Sequence, residues 1–172
     1  MISSTLPPGH GRQTGLSKLE FSVVAAVLSV IAGSLLVASL YYEEMTESTV
    51  VQLTVRNMRS GMRYQIADKL IQGRTRELSA MVRANPVAWI DRSPEGYVGP
   101  VRHGDIGSLP KGSWFFDEDT RELGYIPKLS FHLSVERERR GILRWQVRAL
   151  KSDGPSEVQG LMLIPVNPYR WF

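Results

Sequence analysis

From Phe21 to Tyr42 the chain reads FSVVAAVLSVIAGSLLVASLYY, with no charged residue. At ~1.5 Å per helical residue, these roughly 22 residues span about 33 Å, the thickness of a bilayer's hydrocarbon core. Such a run reads as a transmembrane helix, not as the core helix of a globular protein. It therefore divides the chain into a membrane segment and the module that follows. Arg12 and Lys18 precede the run, whereas Glu43, Glu44 and Glu47 follow it. By the positive-inside rule this charge asymmetry puts the N-terminus in the cytoplasm and the rest of the chain outside. At 172 residues, one membrane segment leaves room for one small folded module, since a soluble domain takes ~100 to 150 residues.

The residues ahead of the run form a pattern of their own. A short polar leader carrying Arg12 and Pro7-Pro8 ends at Gly15, and Leu16-Ser17 follow. Glu20 is the fifth residue after that glycine, and the apolar helix then begins. The leader has no apolar stretch of its own, so it is not the core of a conventional secretory signal. Together these features resemble the prepilin signal of type IV pilins and type II secretion pseudopilins. The resemblance implies cleavage by a prepilin peptidase between Gly15 and Leu16, and N-methylation of the new amine on Leu16. It also implies an assembly role for Glu20, as the counter-charge to the Leu16 amine of a neighbouring subunit. The expected partners are other pilin or pseudopilin subunits, the peptidase, an inner-membrane assembly platform and the lipid bilayer. The expected location is the bacterial inner membrane, single-pass, with the module in the periplasm or in a filament. The family's first mature residue is usually Phe, and many major pilins carry a proline in this helix. Leu16 and a proline-free run point to a minor pilin or a pseudopilin.

Three segments follow from this reading: a leader over residues 1–15, a long helix over 16–84 with its membrane span at 21–42, and a β module over 85–172. Within the span, Ser22, Ala26, Ser29 and Gly33 form a stripe of small side chains of the kind that lets helices approach in lipid. Beyond it, Val51, Val55, Met58, Met62, Ile66 and Leu70 recur at three-to-four spacing, with Arg56, Arg59, Arg63, Asp68 and Lys69 mostly off that stripe. That is an amphipathic helix with a packing partner. Gly61 and Gly73 each cost ~1 kcal/mol of helix propensity, and the first proline after them is Pro86, so Asn85 is the expected stop.

Residues 86–111 are rich in Pro and Gly and read as a long irregular connection. A hairpin follows: Ser113–Phe116, a polar turn over Asp117–Arg121, then Glu122–Ile126. Phe131–Val135 alternates, and Leu143, Trp145, Val147 and Ala149 alternate with Arg144, Gln146 and Arg148. Ser152–Pro155 is a turn, and Val158–Ile164 a last strand. The expected fold is α+β and pilin-like: a long N-terminal helix whose amphipathic half packs on a small antiparallel sheet of four or five strands.

Little in the chain points to chemistry. Zero cysteines exclude disulfides and thiolate ligands. His10, His103 and His132 are widely separated and read as surface or packing residues, with no metal or nucleophile spacing around them. Asp117, Glu118 and Asp119 lack the distributed ligands of a calcium loop and read as a solvated turn. The net charge of +4 and pI near 9.6 come from interspersed signs. Aromatics do not alternate with Glu136–Arg140, so nucleic acid is not expected as a partner. The aromatic stretch Tyr169–Phe172 either docks back on the module or contacts a partner. No cofactor, metal or catalysis is expected, and the competing reading is a single-pass anchored periplasmic binding module that forms no filament.

Overall fold

The computed structural model of the protein describes residues 17–136, 141–151 and 158–172. Outside them lie the leader with His10 and Arg12, the Gly15–Leu16 bond, residues 137–140 of the charged run, and the turn at Ser152–Pro155. The chain forms two compact units, Met1–Leu40 and Tyr41–Phe172, and helix α1 (Lys18–Ile71) contributes to both.

In the first unit, α1 is long and apolar enough to cross a membrane, and none of its apolar window is buried. Leu19, Phe21, Val30, Leu35 and Val37 are all more than 60% exposed. The hydroxyls of Ser22, Ser29 and Ser34 donate to the carbonyls of Lys18, Ala25 and Ile31 on their own helix. Each polar group is thereby satisfied without water, as hydrocarbon requires.

In the second unit, α1 buries Glu44, Ser48, Val51, Val55, Met58 and Met62, an alternating four-three repeat that keeps one face inward. That face packs on a sheet and gives the expected α+β architecture. The sheet has five strands in the order β1 (Tyr97–Val101), β2 (Trp114–Asp117), β3 (Glu122–Tyr125), β5 (Leu143–Lys151), β6 (Val158–Pro165). Trp114, Leu123, Tyr125, Leu143, Trp145, Val147, Leu161 and Leu163 point into one core with the α1 stripe. Trp114 stacks on Trp145 at 5.5 Å. On the other face, Phe115, Ile106 and Ile142 make a smaller cluster.

Four expectations need correction. First, α1 ends at Ile71, well short of residue 84. Gly73 takes φ 70, its N–H donates to Leu70 and that of Arg74 donates to Lys69. This is a Schellman stop, so Gly73 terminates the helix instead of interrupting it. The residues beyond form a short helix, α2 (Leu78–Met81), and Asn85 caps the next turn, Pro86–Trp89, by accepting from the Val87 N–H. With its helix stopped short, Leu70 is 48% exposed, while Ile66 still packs against the core. Second, Gly61 is required by packing: a Cβ there would lie 2.0 Å from the carbonyl oxygen of Trp89. Third, the 86–111 connection is not irregular throughout. It contains β1, which pairs parallel with β2, so the sheet is mixed. Fourth, β4 (Leu133–Val135) leaves the main sheet and pairs antiparallel with β7 (Tyr169–Trp171). The aromatic stretch thus docks back on the module, burying Trp171.

Candidate functional site

Of the three residues to which the prepilin resemblance gives a role, the structure describes Glu20, whereas Gly15 and Leu16 lie outside the described residues. Glu20 sits in the first turn of α1. Its Oε2 accepts from the Ser17 N–H at 2.8 Å, and its own N–H donates to Ser17 Oγ at 3.2 Å. This reciprocal pair is a capping box, legible as Ser17-x-x-Glu20. The carboxylate therefore has a local partner at the positive end of the helix, where a negative charge is favoured. Glu20 and Ser17 both stay exposed.

Two further glutamates, read from the sequence only as charges flanking the span, tie the module to the helix. Glu44 is fully buried. It accepts from the His132 N–H at 2.9 Å and from Trp171 Nε1 at 3.1 Å, and His132 Nδ1 lies 2.9 Å from its other oxygen. Burial alone would raise the Glu44 pKa, but the His132 and Trp171 hydrogen bonds and the charge of His132 outweigh it and lower it. One turn later, Glu47 accepts from Tyr125 OH at 2.6 Å, from the Lys128 N–H at 2.7 Å and from the Leu129 N–H at 3.1 Å. Burial, and then Glu47, push the Tyr125 phenol up. Extending the buried stripe backward from Val51 through Ser48 reaches Glu44, so its inward position was available from spacing. Its partners, 88 and 127 residues away, were not.

The acidic turn is solvated only in part: Glu118 and Asp119 are exposed, as expected, but Asp117 is not. Asp117 is fully buried, while Asp119 accepts from the His103 N–H at 2.8 Å. Asp117 lies 2.6 Å from His103 Nδ1, and it accepts from Arg144 at 3.1 Å and from the Asp119 and Thr120 N–H groups. Burial would raise its pKa, yet the hydrogen bonds from His103, Thr120 and Arg144 prevail and hold it at about 2. Its lone pairs are consumed by protein donors, and among the described residues no cluster of His, Asp and Glu is arranged to hold a metal. His103 and His132 are thus each paired with a buried carboxylate instead of being plain surface residues. Among the described residues neither ring is hydrogen-bonded to a hydroxyl or thiol. A polar cavity of ≈ 530 Å³ adjoins His103, Glu122 and Arg144. A larger open groove of ≈ 710 Å³ lies between Thr54, Gly61 and Tyr64 of α1 and the Trp89–Pro94 segment.

The chain matches no family model, no curated protein and no solved structure.

Proposed function

We propose that the protein is a structural subunit of a pilin-like filament, a minor pilin or pseudopilin of a type IV pilus or type II secretion apparatus. In this reading it is cleaved after Gly15, methylated on Leu16 and held in the inner membrane with its module in the periplasm. It performs no catalysis. The observation that carries the reading is the division of labour along α1. The segment Lys18–Leu40 presents bare apolar surface with Ser22, Ser29 and Ser34 turned back on the helix, while the module builds its core from Glu44 onward. A helix surface that nothing among the described residues covers is available to lipid and then to neighbouring helices. At Gly33 an added Cβ would meet nothing within 4 Å among the described residues, whereas a close intersubunit crossing would require the glycine.

One observation favours the single-pass anchored binding module: Glu20 is already satisfied by Ser17. Substitution separates the two roles. Glu20→Gln keeps the cap, because glutamine serves at that position, but removes the charge. Ser17→Ala breaks the box and keeps the charge. If Glu20 pairs with a neighbour's Leu16 amine in a low-dielectric bundle, its loss costs ~3 to 5 kcal/mol. Glu20→Gln should then abolish crosslinking to partner subunits or recovery in sheared filaments at equal membrane abundance, while Ser17→Ala assembles. Assembly of Glu20→Gln at the wild-type level would leave the carboxylate a helix cap without a pairing role, and absence of the wild-type chain itself from crosslinks and sheared filaments would make the anchored module the better reading.

A further inference from the structure

The apolar run ends in Tyr41-Tyr42, immediately before the first charge, Glu43. Two segments distant in sequence come to the same level. The Tyr41 ring meets His132 edge-on at 5.4 Å and Phe172 at 5.5 Å, and His132 stacks on Phe172 at 5.1 Å. These aromatics are not closed into a core. Phe131 is 74% exposed, Tyr42 65%, Tyr41 42% and Phe172 41%. Uncovered apolar surface gathered in one place marks a contact, and here three segments supply it.

The arrangement is held from beneath. Glu44 fixes His132 through its main-chain N–H and ring and fixes Trp171 through its indole. The segment carrying Phe131 and strand β7, which Phe172 follows, are thereby bound to α1 one turn past Tyr41. The interfacial layer on each side of a bilayer is ~5 to 7 Å deep. With the end of the run at the edge of the hydrocarbon, Tyr41 and the rings centred within 5.5 Å of it lie in or against that layer. Phe131 is the residue immediately before His132 and is largely exposed. Aromatic rings are the side chains best suited to this zone, apolar in body and tolerant of water at the edge.

We propose that Tyr41, Tyr42, Phe131 and Phe172 form a membrane-seating surface that inserts into the interfacial layer of the leaflet where the helix emerges. The module then rests against the bilayer instead of swinging from a free tether. This inference rests on the helix spanning the membrane, not on filament assembly. The ligand is the lipid interface itself.

The absence of native cysteine permits a direct test on the full chain. Single-cysteine variants Val30→Cys, Ser130→Cys and Ile71→Cys carry an environment-sensitive fluorophore and are reconstituted into phosphatidylcholine vesicles with brominated acyl chains. Val30 reports the span and Ser130 the proposed seat. Ile71 is 86% exposed and lies about 45 Å along α1 from Tyr41. The expected result is strong quenching at Val30, and quenching at Ser130 severalfold above that at Ile71. The Ser130 signal should be more than halved when Phe131→Ser and Phe172→Ser are added. Quenching at Val30 with Ser130 no higher than Ile71 overturns the seating and leaves the span intact. A Ser130 signal indifferent to the two serine substitutions overturns the role of the aromatics. An unquenched Val30 refutes the span, and the seating with it.

Discussion

Gly61→Ala tests the packing that organises the module. By helix propensity alone the change should stabilise α1 by about 1 kcal/mol. The structure gives the opposite sign. A methyl at that position would sit 2.0 Å from the Trp89 carbonyl oxygen and 2.9 Å from its carbon, whereas a carbon comes no closer than about 3.3 Å to such an oxygen. Both obstructing atoms belong to backbone, so no rotamer change relieves the clash. The Pro86–Trp89 turn must retreat from α1 by more than an ångström, loosening Val87 and Ile90 from the core they join. Overpacking of this kind costs about 1 to 3 kcal/mol, and a rigid obstruction belongs at the upper end. Subtracting the propensity gain leaves a net loss of about 2 kcal/mol. For a folded unit of this size, at about 4 °C per kcal/mol, Tm should fall by about 8 °C. The assay is thermal unfolding of the detergent-solubilised full chain, followed by near-ultraviolet circular dichroism. Gly33→Ala, with open space around its Cβ, serves as a control and should leave Tm unchanged. A Gly61→Ala Tm equal to or above the wild-type value would refute the close approach of helix and turn.

Other perturbations have equally definite signs. Gly73→Ala places a side chain at φ 70 and should cost about 1 kcal/mol in the same melts, because a left-handed residue with a Cβ is strained. Asp117 has a folded pKa of about 2, below its unfolded value of about 3.9. Its contribution is therefore fully present above about pH 4 and is lost as pH falls toward 2. At 1.36 kcal/mol per unit of pKa difference this amounts to about 2 to 3 kcal/mol, so urea titrations between pH 4 and pH 2 should show a shallower decline for Asp117→Asn than for wild type. Glu44→Ala leaves the Trp171 indole and the His132 amide without their acceptor and should cost about 2 to 3 kcal/mol in chemical denaturation at neutral pH. An unchanged midpoint would show that the clamp contributes nothing.

What could be read from the chain was whatever its local spacing encodes. The charge-free run from Phe21 to Tyr42, the inward stripe of Val51, Val55, Met58 and Met62, and the alternation along β5 each depend only on residues a few positions apart. The capping box at Ser17 and Glu20 belongs to the same class. Helix and strand periodicities are local, and so are the polar demands of a helix end. The tertiary structure decided what depends on partners far along the chain. Gly61 and Gly73 look alike in sequence, yet one admits the Trp89 backbone and the other stops a helix. Asp117 and Glu44 are ordinary charges in sequence and become buried acceptors because His103, Arg144, His132 and Trp171 fold onto them. The aromatic stretch at Tyr169–Phe172 had two possible destinations until β4 supplied its pairing edge. A buried charge or a close backbone approach is stable only when its complement arrives from elsewhere, and local spacing carries no record of where that complement lies.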